Sequence, residues 1–299
     1  MTINKPNLFI VGTQKSGSTS LYNYLSQHPE IFFPKEKEPR FFNLKHDIIK
    51  HNGPGDTIYD SSRIINEYEY YKLFNDVGTK KIIGDATIEY LYYPDVAHDL
   101  KVFNKTAKII IILRNPIDRA YSAYNHLRRD LRENLSFEDA LDAEDERIKL
   151  GYHQIWHYKQ VGKYYRQVKS YLDVFGRSNV KIILNDYMKK DIEIIINDIE
   201  KFLEIKVFPL KTSINYNVSG IPKNVRLQKF LKERNLFKYL IKPLLPRHFR
   251  ENIKTMLISK NIKKIPINEN TRRYLIDFYR EDVLELQDLI GEDLKMWLV

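Results

Sequence analysis

At 299 residues, with 43% hydrophobic and 29% charged side chains, the chain is long enough for one large α/β domain and has the composition of a soluble globular protein. The lack of cysteine excludes disulfides, thiolate metal sites and cysteine nucleophiles, and no apolar run reaches the roughly 18 residues that a bilayer span requires. A net charge of +10 implies an anionic partner, but the basic residues are scattered among 39 acidic ones, so charge alone names none.

The opening MTINKPNLF leaves no room for a signal peptide before the first strand, so a cytoplasmic location is expected. Leu8-Phe9-Ile10-Val11 reads as a short buried strand that Gly12 breaks. Gly17-Ser18-Thr19-Ser20 then opens a helix whose apolar spacing continues through Leu21, Tyr24 and Leu25. Strand, glycine loop and helix is a phosphate-binding layout, because a helix start offers unpaired N–H groups and a partial positive charge. Gly12 and Gly17 fit the first half of the GxxxxGKS/T pattern, yet Ser18 follows Gly17 and the lysine sits inside the loop as Lys15. A nucleoside triphosphate needs that lysine on its β- and γ-phosphates beside magnesium. A loop lysine with Ser-Thr-Ser hydroxyls suits a shorter anion, neutralised without metal.

His28-Pro29 ends the first helix, and Ile31–Pro34 is a second strand or an extended turn. The charged, then aromatic, KEKEPRFF covers 35–42. Residues 43–63, around Gly53-Pro54-Gly55-Asp56, read as a long loop of the kind that walls a substrate site, and 64–76 as a surface helix. Further strands are expected at Lys80–Asp85, Ala107–Leu113 and Val180–Leu184, the β-branched middle one suiting a parallel sheet buried on both faces. Pro116 opens a helix to about Leu131. Residues 136–149 read as a solvent-facing acidic helix, 155–175 as another ending at Gly176, and Ile192–Leu203 as an amphipathic helix capped by Asp191. The basic clusters His126–Arg132 and Arg247–Lys264 read as solvated helix faces. His153 and His157 stand four apart, but Gln154 replaces the glutamate of a zinc protease, so a surface helix is expected there and no metal.

From about residue 209, Pro-punctuated helices take over. The last, about Glu269–Ile290, carries the stripe Leu275, Phe278, Val283, Leu286, Ile290 and stops at Gly291. The alternation predicts an α/β fold: a doubly wound parallel sheet with a P-loop-like phosphate-binding loop and a helical C-terminal part. One domain is expected over 1–299, with its core sheet in about 8–208 and its tail in about 209–299.

In open parallel sheets, ligands sit outside the carboxyl ends of the strands. Lys15 marks one such end. At another, Arg114 leaves the buried strand and Ser122 follows two helical turns later, a pair able to grip a second phosphate. The expected ligand therefore has two separated anionic groups.

Residues 8–42 and 107–126 resemble the sulfotransferases that use 3′-phosphoadenosine 5′-phosphosulfate (PAPS). KSGSTSL (Lys15–Leu21) is similar to that family's loop for the 5′-phosphosulfate, and RNPIDRAYS (Arg114–Ser122) to its segment for the 3′-phosphate. Weaker likeness runs through Gly162-Lys163-Tyr164, Asn185–Leu203 and GEDLKMW (Gly291–Trp297). The resemblance implies PAPS as co-substrate, without metal, held by Lys15, Ser16, Gly17, Ser18, Thr19, Ser20, Arg114 and Ser122. It also implies that Lys223, closing NVSGIPK (Asn217–Lys223), reaches the 3′-phosphate. KEPRFF (Lys37–Phe42) resembles the carbohydrate-type branch, where a glutamate three residues before Phe-Phe takes the acceptor's proton; that glutamate is Glu38. Lys15 would stabilise the leaving phosphate in a loose, in-line transfer.

The activity implied is sulfuryl transfer from PAPS to a hydroxyl or amine of an acceptor, a saccharide on this likeness, with no nucleic acid involved. The heparan-type lysine near 85–90 is Ala86 here, so Asp85 and Glu89 could instead bond neutral sugar hydroxyls, or Asp85 could simply cap the next segment. Should Glu38 not be the base, His28 and Asp85 are next in line. Two other readings stay open: a nucleotide kinase on a modified P-loop with Asp85 near magnesium, and a basic nucleic-acid-binding module with steeply salt-dependent affinity.

Overall fold

The computed structural model describes residues 4–212, 220–232, 256–258, 260–263 and 265–299. Asn217–Ser219 of the expected C-terminal loop and most of the Arg247–Lys264 cluster lie outside them. Five parallel strands form the central sheet: β1 (Leu8–Gly12), β2 (Ile31–Phe32), β3 (Ile82–Asp85), β4 (Lys108–Leu113) and β5 (Val180–Leu184), in spatial order β2-β3-β1-β4-β5. In β1 and β4, alternate residues serve opposite layers. Phe9, Val11, Ile109, Ile111 and Leu113 join one core, and Leu8, Ile10, Ile110 and Ile112 the other. Near-continuous apolar runs, broken in β4 only by Lys108 at its start, are what a sheet covered on both faces demands.

Helices α1 (Ser18–Leu25), α2 (Thr57–Ser61), α3 (Glu67–Lys72), α4 (Val96–Phe103), α5 (Pro116–Arg129), α6 (Phe137–Asp142), α7 (Glu144–Lys149), α8 (Tyr165–Phe175), α9 (Asn185–Lys190), α10 (Ile192–Phe202), α11 (Val225–Lys232) and α12 (Glu269–Ile290) follow in chain order. Leu21 and Leu25 of α1 and Ile196 and Ile199 of α10 fill the second core. Leu100 of α4, Leu127 of α5, Tyr171 of α8 and Tyr279 of α12 fill the first. Asp191 caps α10 by accepting from the Glu193 and Ile194 N–H groups, and Gly291 ends α12 in the left-handed conformation.

Several expected segments differ. Residues 43–63 are not loop throughout, since a 3-10 turn (Phe41–Lys45) and α2 interrupt them. The helix over 64–76 is the shorter α3, whose Tyr70 is fully buried, stacks on Phe41 at 4.5 Å and donates to Asp85 Oδ2 at 2.8 Å. The acidic helix over 136–149 breaks into α6 and α7 and is not solvent-facing: Phe137, Leu141 and Glu144 are buried, Glu144 accepting from the Lys159 and Gln160 N–H groups. Ahead of α8, where helix was expected from 155, the chain makes two 3-10 turns, Gln154–Trp156 and Gln160–Gly162. The C-terminal part is not helix alone: β6 (Ile221–Pro222) and β7 (Ile262–Lys263) pair antiparallel, too short for any periodic signal.

The chain leaves β1 towards the β2 edge and leaves β4 towards the β5 edge, so the sheet's switch point lies between these neighbours. Their carboxyl ends are level, with Gly12 opposite Ile112. A Cβ on Gly12 would lie 2.4 Å from the Ile112 carbonyl oxygen, so only glycine permits this approach.

Candidate active site

At the end of β1 the chain coils over Thr13–Gly17. Lys15 (φ 74°) and Gly17 (φ 97°) both adopt the left-handed region. Ser16 Oγ donates to Thr13 O at 2.6 Å, Asn185 Nδ2 from the end of β5 donates to Ser16 O at 2.7 Å, and Arg114 Nη1 from the end of β4 donates to Lys15 O at 2.9 Å. Three strand ends thus fix one loop. A Cβ on Gly17 would come within 2.7 Å of Asn185 Nδ2, and Gly17 brings no capping side chain to the start of α1. Tyr164 OH braces the neighbouring turn by donating to Arg114 O at 3.0 Å. The closing segment packs there too, with Trp297 O accepting from Asn115 Nδ2 and Trp297 Nε1 donating to Asp186.

Cations converge on this loop. Burial first, then the Arg129 and Arg114 guanidiniums, brings the Lys15 ammonium down to about 8, with Lys37 adding to the effect and Asp130 opposing it. Burial also lowers Arg114, whose buried Nε has no hydrogen-bond acceptor among the described residues. Positive charge held together at this cost in desolvation suits an anionic ligand, and its placement on two adjacent turns suits one with two anionic ends.

Beside the loop lies a cleft of about 230 Å³, lined among others by Lys15, Lys37, Glu38, Tyr59, His126 and Ile155. Glu38 (φ 69°) and Arg40 (φ 56°) are both left-handed, a strain that their charge network offsets. Glu38 Oε2 accepts from Arg40 Nη2 at 2.6 Å and Oε1 from Lys37 Nζ at 3.2 Å. Arg40 Nε reaches Glu89 Oε2 at 2.9 Å, and Glu89 Oε1 accepts from Gln14 Nε2 at 2.9 Å. Burial pushes Glu89 up, but Arg40 and His153 outweigh it and hold this carboxyl well below the usual range. Tyr59 stacks flat on His153 at 4.0 Å, and the Arg40 guanidinium lies over the same tyrosine ring at 5.5 Å.

Of the residues singled out from sequence, Ser16, Gly17, Ser18, Thr19 and Ser20 form the loop end and first turn of α1 with Lys15, and Glu38 shares their cleft. Arg114 joins them through the Lys15 carbonyl. Ser122 is buried on α5, two turns past Arg114. Lys223 is exposed where β6 gives way to α11, its N–H bonded to Asn261 O at 2.6 Å. Gln228 Nε2 of α11 donates to Arg129 O at 3.0 Å, which ties that segment to α5.

Other expectations are corrected. His28 is buried, held by Lys206 O and the Glu30 N–H, and follows the far end of α1, so it cannot serve as a base in this cleft. Asp85 is fully buried and accepts from Tyr70 OH, Tyr90 OH and the Thr87 N–H and hydroxyl. It anchors Thr87 at the start of the next segment, with both oxygens engaged and none left for a base, a magnesium ion or a sugar hydroxyl. Burial still raises it to about 6 despite four donors. Glu89 is likewise committed inside the network. His153 and His157 are buried rather than on a surface helix: His153 Nδ1 accepts from the Ile155 N–H, and His157 bonds Tyr92 OH and Tyr152 O. The His126–Arg132 cluster is no solvated face, since His126 lines the cleft and Arg129 Nη2 lies 2.6 Å from His126 Nδ1. Lys37, Arg40, His126 and Arg129 were not singled out; their basic character was visible, but not their convergence.

Among the described residues, no group of three or more His, Asp or Glu side chains is arranged to hold a metal ion, and no helix is long and apolar enough to cross a membrane.

Comparison with known proteins adds family relations. The sulfotransferase domain matches residues 5–219. The fold superposes on a sulfotransferase from Alicyclobacillus acidocaldarius with a TM-score of 0.80 and 35% identity, covering 99% of both chains. The sequence is 32% identical over 131 residues to the membrane-associated sulfotransferase kil1 of Dictyostelium discoideum, covering 44% of this chain and 25% of that protein. It is 26% identical over 314 residues to the mouse bifunctional heparan sulfate N-deacetylase/N-sulfotransferase 3, covering 98% of this chain and 31% of that protein. The chain thus spans about a quarter to a third of these two curated relatives.

Proposed function

The chain belongs to the sulfotransferase domain family, and from that premise we propose that it moves a sulfuryl group from PAPS to a hydroxyl or amine of a saccharide acceptor. The observation that carries this reading is the joining of two cationic turns, Arg114 to the Lys15 carbonyl, beside a carboxylate in the same cleft. PAPS supplies the activated sulfuryl group: a new bond forms from the acceptor oxygen or nitrogen to sulfur as the bond from sulfur to the 5′-phosphate oxygen breaks. Glu38 takes the acceptor's proton. Lys15 and the start of α1 hold the 5′ end and offset charge growing on the departing phosphate. Arg114 and Ser122, with Lys223 closing from β6, hold the 3′-phosphate. His126, which lines the same cleft as Glu38, helps position the transferring group.

The relatives named for heparan sulfate support a saccharide. The buried Ala86 and the uncharged walls Tyr59, Ile88 and Ile155 support a neutral sugar over a polyanionic one. Incubation with PAPS and a panel of oligosaccharides, phenols and lipids tests the reading by mass spectrometry. A sulfated neutral oligosaccharide is expected, with Glu38→Gln retaining binding of 3′-phosphoadenosine 5′-phosphate (PAP) but losing about 100-fold in turnover. Full activity in that variant would remove Glu38 as the base, and sulfation of phenols or lipids alone would remove the saccharide.

A further inference from the structure

Lys37 stands where the two halves of the cleft meet. Its ammonium has three donors, and three oxygens surround it: Glu38 Oε1 at 3.2 Å, Thr19 Oγ1 at 3.2 Å and Ser18 Oγ at 3.5 Å. Two of these belong to the first turn of α1 and the third to the carboxylate read as the base. Both oxygens of that carboxylate are engaged, one by Lys37 and the other by Arg40. The two restraints differ in kind. Arg40 is buried and anchored by Glu89, whereas the Lys37 side chain is 21% exposed, on a flexible stem, with its ammonium 6.0 Å from the centre of the Tyr22 ring. Lys37 is also close enough to Lys15 for the two charges to repel.

We propose that Lys37 is a positioning residue that couples donor binding to release of the base. Without nucleotide its ammonium bridges Glu38 to the hydroxyls of Ser18 and Thr19; the 5′ anionic end of the nucleotide draws it off Glu38, whose Oε1 then faces the acceptor. This rests on the reading of the loop as the donor site. Its consequence is that Glu38 and the nucleotide compete for one ammonium. An acceptor proton therefore finds a free carboxylate oxygen only beside a seated donor, which orders the reaction as donor before acceptor.

Competition predicts an outcome that simple loss of a base does not. PAP binding is measured by calorimetry for the native protein, Glu38→Gln, Lys37→Met and the double variant. Glu38→Gln should bind PAP roughly five-fold more tightly, because Lys37 is freed for the nucleotide. In the Lys37→Met background the same substitution should gain less than about two-fold. A gain equal or larger there would mean that Glu38 acts by through-space repulsion and would overturn the coupling, as would no gain in the native background. Thermal unfolding checks that each variant is folded, and Lys37→Gln repeats the cycle should the methionine variant fail. Absence of PAP binding to the native protein would overturn the donor-site reading and the coupling together, whereas binding without coupling overturns the latter alone.

Discussion

The Lys15 loop and the Glu38 network lie side by side but manage charge in opposite ways. Around Lys15, cations crowd together and, with burial, lower that lysine's affinity for protons, Asp130 being the acidic group that opposes the effect. Around Glu38, each charge has an assigned opposite: Arg40 is shared between Glu38 and Glu89, and Gln14 takes the remaining Glu89 oxygen. A buried ion pair contributes little net stability, but removing one member leaves an uncompensated charge. The network is therefore built for position and the loop for occupancy. Lys37 links the two.

Substitutions should separate these roles. The largest effect is expected from Arg40→Ala, which strands the buried Glu89 and should cost about 3–5 kcal/mol in denaturant unfolding. A loss below about 1 kcal/mol would mean that the network does not hold the strained segment. Lys15→Ala or Arg114→Ala should weaken PAP binding by about 100-fold, the loss of a charged hydrogen-bonding partner. Lys15→Ala should also leave stability unchanged or raised, since a buried cation among cations is removed. A destabilised Lys15→Ala protein would erase the contrast.

The smallest effect is on pH. Lys15 binds an anion best when protonated, its free-state value is about 8, and a bound anion raises it. Affinity for PAP should thus be highest near pH 7, where Lys15 is protonated and the phosphates are ionised, and fall by up to roughly tenfold per unit above about pH 8. Lys15→Met should flatten that fall, and a flat native profile in calorimetry would count against Lys15 as the phosphate ligand.

How much was legible in the sequence follows the same division. The loop and the Arg114 turn are contiguous motifs at the ends of unmistakable strands, so the parallel sheet, its two equipped ends and the start of α1 could be read directly. Glu38 was found only by its likeness to KEPRFF-type segments; in isolation it is one carboxylate in a mixed-charge run. The network behind it runs from Arg40 to Glu89, 49 residues further on, and from Glu89 to Gln14 in the first loop, and no spacing rule joins such positions. Asp85 and the two histidines misled for a related reason. Burial and satisfied hydrogen bonds, invisible in the one-dimensional pattern, make them structural. The cluster His126–Arg132 looked like an exposed face because charge is usually solvated; here α5 ends beside Lys15 and carries that charge to the site.

On the proposed function, the Lys15 loop and the Arg114 turn together clamp two separated anionic groups. Calorimetry comparing PAP with adenosine 5′-monophosphate, which lacks the 3′-phosphate, tests it most directly. PAP should bind about 100-fold more tightly, and Arg114→Ala should abolish most of the difference. Equal affinities for the two nucleotides in the native protein would contradict it.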